Sequence, residues 1–334
     1  MNSKTIKWGV LSTAKIGVEK VIPAMQKCTN LEIIGIASRN EQNAKQAAEE
    51  LGIPRCYGDY SSMLNDPEID AIYNPLPNHL HFDWTKKAIL QGKHILCEKP
   101  MTLDKNQISE LILLREQMGV KVGEAFMVHT HPQWLDAVKR IKAGELGKLK
   151  SIQGFFSYFK TDPTNIRNIL EYGGGAMWDI GCYPVHTARY AFGEEPTRVV
   201  SLIDRDPDLL IDRQASVMMD FPSGQCVFTV STQLVPYQKM IFFGEKRKLE
   251  IEIPFNAPND RKTNIYIDEG GLPAVNPQQM TFETCDQYKI QGERFSQAIL
   301  NDTEVPVSLE NAYMNTTVIE AIFQSAAKDV WIDI

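Results

Sequence analysis

What the 334-residue chain lacks narrows its reading first. No apolar run approaches the ~20 residues that a membrane-spanning helix needs. The opening Met1-Asn2-Ser3-Lys4-Thr5-Ile6-Lys7-Trp8 has no signal-like apolar stretch and leads straight into a strand pattern. Positive charge is not in excess: 35 Lys and Arg stand against 42 Asp and Glu, a net charge of -7. That balance gives no reason to expect nucleic acid or an anionic membrane as partner. The 6 cysteines are scattered, at 28, 56, 97, 182, 226 and 285, with no Cys-x-x-Cys pair. Reduced thiols in a cytoplasmic protein are expected, not a disulfide framework. Internal repeats and low-complexity linkers are also missing. What remains is the composition of an ordinary soluble globular protein, long enough for two domains or one large one.

Up to about residue 126, strand and helix alternate. Ile6 to Leu11 reads as a strand and Ile16 to Gln26 as a helix. Leu31 to Ala37 is an almost wholly apolar strand, as expected for burial on both faces. Glu41 to Leu51 is a helix closed by Gly52. Ile69 to Tyr73, His94 to Cys97 and Lys121 to Met127 continue the strands, with helices at His81 to Leu90 and Asp104 to Met118. This rhythm predicts an α/β, doubly wound parallel sheet of the Rossmann type over 1–125. Beyond it come a helix (Gln133 to Ala143), then successive strands. Gln214 to Phe221 and Gln225 to Thr232 flank the turn Pro222-Ser223-Gly224. Met240 to Phe243, Lys248 to Ile253 and Asn264 to Ile267 follow, then helices Gln287 to Leu300 and Leu309 to Lys328. An α+β domain on a mostly antiparallel sheet is predicted over 126–334.

The first strand runs into Gly9-Val10-Leu11-Ser12-Thr13-Ala14-Lys15-Ile16-Gly17. The strict G-x-G-x-x-G of a dinucleotide turn is absent. A small polar turn, Ser12-Thr13-Ala14, remains before a helix opening at Ile16, whose N-terminal amides can hold phosphate. Spacing alone fits an ordinary strand-turn-helix equally well. After the second strand, Ser38-Arg39 stands where NAD-specific folds place an acid for the ribose 2′-hydroxyl. A hydroxyl and a guanidinium there suit a 2′-phosphate, favouring NADP over NAD; the alternative is a solvated surface arginine. The third strand ends in Asn74-Pro75-Leu76-Pro77-Asn78-His79-Leu80-His81, a loop held extended by two prolines at the expected ligand crevice. Pro75, Leu76, Asn78 and His81 are therefore cofactor candidates. The pairs His79/His81 and His129/His131 lack helical His-x-x-x-His spacing or a nearby Cys or acid cluster, so no metal is expected.

Taken together, three motifs resemble the glucose–fructose oxidoreductase / inositol dehydrogenase (Gfo/Idh/MocA) family. They are Glu98-Lys99-Pro100 after an apolar strand, the loop Asn74-Pro75-Leu76-Pro77-Asn78, and Asp179-x-x-x-Tyr183 after Gly173-Gly174-Gly175. Asn165-Ile166-Arg167 adds to the match, and Trp8-Gly9-Val10-Leu11-Ser12-Thr13-Ala14 resembles the trans-dihydrodiol dehydrogenase and NADP-dependent D-xylose dehydrogenase branch. The resemblance implies a Rossmann domain, a C-terminal domain with an open-faced sheet, and NAD(P)-linked redox of sugars, polyols or related alcohols. It also implies a homodimer or homotetramer through that sheet, although the apolar face of Ala215, Val217, Met219 and Phe221 could equally be covered by the domain's own helices. It carries a cofactor-side acid to Glu98, a catalytic lysine to Lys99 and a catalytic acid to Asp179. Tyr183 stands where inositol dehydrogenases have histidine, and Ser12 replaces a family glycine.

The chemistry expected is hydride exchange between nicotinamide and a carbinol or carbonyl carbon. Tyr183 would move the proton, Lys99 would stabilise its phenolate and Asp179 would hold Lys99 or a neighbouring hydroxyl. The spacing places Asp179 and Tyr183 on one face of a helix. Phe156 and Trp178 read as core or pocket wall, and His186 lines the sugar pocket. Arg167 contacts nicotinamide or substrate, or else makes a surface salt bridge. Alternatives are a nucleotide-sugar ketoreductase, a redox-assisted glycosidase, or a non-catalytic NADP-binding regulator.

Overall fold

The computed structural model describes residues 5–334. Contacts divide the chain into two compact units, one holding the chain up to Thr130 together with Asp286–Tyr313, the other His131–Cys285 together with Met314–Ile334.

In the first unit the strands are β1 (Ile6–Leu11), β2 (Leu31–Ala37), β3 (Arg55–Tyr57), β4 (Ala71–Asn74), β5 (His94–Glu98) and β6 (Val122–Ala125). All pair in parallel, in the order β3-β2-β1-β4-β5-β6. That is the doubly wound Rossmann order, with its switch point between β1 and β4. The helices are α1 (Ile22–Met25), α2 (Glu41–Leu51), α3 (Tyr60–Leu64), α4 (Asn78–Leu90) and α5 (Lys105–Met118). Asn40 caps α2 through its side chain, and Gly52 closes it in the left-handed conformation. Asp104 and Gly119 do the same for α5.

Three details differ from the sequence reading. The short pair β3 and α3 went unrecognised, being only 3 and 5 residues long. Helix α4 starts at Asn78, directly behind Pro77, and not at His81. The helix expected over Ile16 to Gln26 opens as a π-helix, Gly17–Val21. Pro23 lies just beyond and has no N–H for the carbonyl four residues back, which accounts for the widened turn.

The second unit begins with α6 (Pro132–Lys142), β7 (Leu149–Phe159) and α7 (Cys182–Phe192). Then come β8 (Arg198–Arg205), β9 (Asp212–Phe221), β10 (Gly224–Ser231), β11 (Gln233–Gly244), β12 (Lys248–Ile251), β13 (Thr263–Asp268) and β14 (Gln278–Phe282). With β15 (Ile332–Asp333) they form one sheet, ordered β14-β13-β12-β11-β7-β10-β9-β8-β15. Every pairing is antiparallel except β7 with β10. The hairpin turn at Pro222-Ser223 is as expected, with Phe221 opposite Gly224. The central strand β7 escaped sequence reading because it does not alternate cleanly; Gly154 interrupts it where a Cβ would press on Met240 and Phe228.

One sheet face buries Ala215, Val217 and Met219. Phe221 stacks on Phe192 of α7 at 4.4 Å. Two more helices close the chain: α8 (Gln287–Asn301) and α9 (Leu309–Lys328). Ser201 donates to the Ile322 carbonyl of α9 at 2.6 Å, so the domain's own helices cover this face. The register places Leu202, Val227 and Tyr237 on the opposite face, and all three are exposed. In the first unit, α8 packs on β1, where Trp8 meets Phe295 edge-on at 5.6 Å and donates its indole N–H to Ser296.

Candidate active site

The nucleotide end is built where β1 and β2 stop. Ser12, Thr13 and Ala14 leave β1; Ser38, Arg39, Asn40 and Asn43 follow β2; Tyr60 opens α3. Together these line a cavity of about 480 Å³. Ser12 stands at φ 70°, the left-handed backbone that a glycine would take without strain, and its Oγ accepts the Ala14 N–H at 3.2 Å. The turn thus keeps a glycine-like course despite the substitution. Ser38 is buried, its hydroxyl accepting the Asn40 N–H at 3.3 Å. Burial pushes the Tyr60 phenol above its usual value, while the charge of Arg39 and a hydrogen bond to it pull the other way. None of the eight lining residues is acidic. A carboxylate that would bind a ribose 2′-hydroxyl is therefore missing from this wall, and the donors present fit a phosphate. Asn40, Asn43 and Tyr60 were not singled out in the sequence; only the helix-start position of Asn40 carries a signal.

At the end of β4, Pro75 and Leu76 are buried, and Asn78 is the first residue of α4. His81 is wholly buried, with Nδ1 2.7 Å from the Pro100 carbonyl and Nε2 2.6 Å from that of Leu76. Burial pushes its pKa down to about 4, while the Pro100 and Leu76 carbonyls beside its two nitrogens pull the other way. It ties the loop after β4 to the loop after β5. Glu98 closes β5 and accepts the Tyr73 hydroxyl at 2.7 Å. Burial and the adjacent Glu98 hold the Tyr73 phenol far above its usual value. Lys99 follows at the carboxyl end of the sheet, half-buried, joined to Pro100 by a cis peptide.

In the second unit, Arg167, Asp179 and Tyr183 come together. Asp179 lies in a π-helical segment, Met177–Gly181, that runs into α7. Pro184 follows closely, again without an N–H for the carbonyl four residues back. The one-face argument from an i, i+4 spacing does not apply to such a segment. The link is the side chain of Arg167, whose Nε donates to Asp179 Oδ2 at 3.1 Å. Tyr158, at the end of β7, donates to the same oxygen at 2.6 Å. The charge of Asp179 is the first cause of a raised Arg167 pKa, and Tyr158 and Tyr183 add to it. Tyr183 is buried among aromatics, 5.9 Å from Phe156 and 5.4 Å from Phe255, which stack on each other at 4.8 Å. Phe156 and His186 are also buried, so both sit behind the surface. Trp178 packs on Phe323 at 5.8 Å.

The glycines before this segment have a steric reason. A Cβ on Gly174 would sit 2.6 Å from the Arg167 carbonyl oxygen and 2.7 Å from that of Ile169. Gly175 donates its N–H to the Arg167 carbonyl at 2.9 Å. Asp212, at the start of β9 and buried, accepts the Met177 N–H at 2.6 Å and so caps the segment carrying Asp179. Burial pushes the Asp212 pKa up to about 7 against those backbone donors. Tyr158 and Asp212 were missed because nothing local marks a residue that acts across a sheet.

Residues 6–126 match a family model described as oxidoreductase family, NAD-binding Rossmann fold, and residues 134–251 match the GFO/IDH/MocA C-terminal domain. The chain is 42% identical over 328 residues to an uncharacterised oxidoreductase of Rhizobium meliloti, covering 98% of each. It is 35% identical over 325 residues to D-xylose 1-dehydrogenase (NADP(+)) 2 of Haloferax volcanii, covering 96% of this chain and 97% of that one. A 3-ketoreductase from Actinomadura kijaniata, solved with NADP and TDP-benzene, is similar with a TM-score of 0.90. It is 25% identical, over 96% of this chain and 98% of that one. Among the described residues no helix is long and apolar enough to cross a membrane.

Proposed function

The chain belongs to the Gfo/Idh/MocA oxidoreductase family, and from that premise we propose that it exchanges a hydride between NADP and a carbinol or carbonyl carbon of a sugar, polyol or vicinal diol. The observation that carries the cofactor choice is the acid-free wall of Ser38, Arg39, Asn40, Asn43 and Tyr60. Bound NADP would supply the hydride acceptor, and the protein's residues handle the proton and the orientation.

In this reading residues 1–125 hold the cofactor and 126–334 hold the substrate. The hydroxyl of the reacting carbinol gives its proton to Tyr183, and in the reverse direction Tyr183 returns it. A free phenol titrates near ~10, too high for a base at neutrality, so it needs cationic help. Lys99 and Arg167 are the cations assigned to that task. Asp179 keeps Arg167 in place. Glu98 and His81 hold the β5 and β4 loops that carry Lys99, Pro75 and Leu76 and lead into Asn78. The exposed apolar side chains Leu202, Val227 and Tyr237 support a homodimer or homotetramer formed through that sheet face.

A nucleotide-sugar ketoreductase is the second reading, favoured by the likeness to the 3-ketoreductase solved with TDP-benzene. The test is initial-rate nicotinamide absorbance with NADP and NAD across aldoses, polyols, trans-diols and nucleotide-linked ketosugars. Turnover of a free sugar or diol with NADP supports the first reading. Turnover of nucleotide-linked ketosugars alone supports the second, and silence with NADP still bound contradicts both.

A further inference from the structure

We propose that Tyr158 is a positioning residue, the fixed donor that orients the Asp179 carboxylate and keeps it ionised. This rests on the assignment of Asp179 and Tyr183 to the reaction site above. Three elements converge on one oxygen: the end of β7 through Tyr158, the loop after it through Arg167, and the π-helical segment through Asp179 itself. The Tyr158 bond, at 2.6 Å, is the shorter of the two. The Arg167 side chain is 45% exposed, so water weakens its hold, whereas the Tyr158 contact is partly buried.

The same arrangement separates the roles of two phenols. Burial first, then the charge of Asp179, drives the Tyr158 phenol far above its usual range. It stays protonated throughout the working range of pH and cannot carry the reacting proton. Tyr183 instead lies in the field of the Arg167 cation. A donor that never ionises makes a constant bond to Asp179, and a carboxylate given a hydrogen bond prefers its charged form.

Tyr158→Phe removes only the hydroxyl and keeps the ring. We expect NADP affinity near wild type and a kcat lowered about tenfold, the scale of one hydrogen bond to a charged group. The acid limb of kcat/KM should move upward, because Asp179 becomes easier to protonate. A residue that merely staples β7 to the helix would leave the acid limb where it was, whatever the loss of stability. Wild-type kcat with an unmoved acid limb would overturn the proposal. Asp179→Asn, assayed alongside, separates the two layers. If it turns over normally, the site assignment itself fails. If it is inactive while Tyr158→Phe is normal, only the role of Tyr158 fails.

Discussion

Gly175 and Asp212 compete for the same space. A Cβ on Gly175 would collide with Oδ1 of Asp212, and the Gly175 backbone stands at φ 115°. The absence of a side chain on one residue lets the carboxylate of the other reach the Met177 N–H. Gly175→Ala is therefore expected to lose at least about 2 kcal/mol of stability, through strain and displacement of the cap. Urea unfolding measures it; a loss under about 0.5 kcal/mol would show that the close approach is dispensable.

Asp212 also gives stability a pH dependence. Its folded pKa of about 7 lies above the unfolded carboxylate value. The contribution is fully present below about 3.9 and is lost as pH rises through 7, by up to about 4 kcal/mol. Asp212→Asn should flatten the slope of stability against pH over that window. An unchanged slope would mean that Asp212 is ionised there, held by its backbone donors.

His131 works in the opposite sense. Its Nδ1 accepts the Gln133 N–H at 3.2 Å as the cap of α6, which requires a neutral ring with the proton on Nε2, 3.3 Å from the Cys285 sulfur. Burial pushes its pKa down to about 4. Its stabilisation is present above the unfolded value of about 6.5 and is lost as pH falls through 4, by up to about 3 kcal/mol. His131→Asn keeps a capping side chain without the titration, so acid unfolding should become shallower between those limits. The same acid profile in both proteins would refute the assignment.

Legibility followed the range of the interactions. The strands β1 and β2, helix α2 with its Gly52 cap, and the hairpin at Pro222-Ser223 could all be read because each is set by residues close in sequence. The motif around Glu98-Lys99-Pro100 and Asp179-x-x-x-Tyr183 identified the family. Tyr158, Asp212 and Tyr60 could not be found that way, since each works across a distance that only the folded chain closes. The two π-helical segments carry the same apolar pattern as regular helix, so only the prolines at 23 and 184 hint at the change of register.

Arg39 is expected to set the cofactor choice. Arg39→Ala should raise KM for NADP by about 10–100-fold, the value of charge-assisted hydrogen bonds to a phosphate, with KM for NAD nearly unchanged. Initial rates at saturating substrate measure both. Equal losses for the two cofactors would place Arg39 outside 2′-phosphate recognition.

The measurement that bears most directly on the account is turnover of Tyr183→Phe, with NADP affinity determined on the same preparation. If Tyr183 carries the reacting proton, kcat falls at least ~100-fold while the dissociation constant for NADP stays at its wild-type value. Wild-type turnover by the phenylalanine variant would contradict the account and remove Tyr183 from the chemistry.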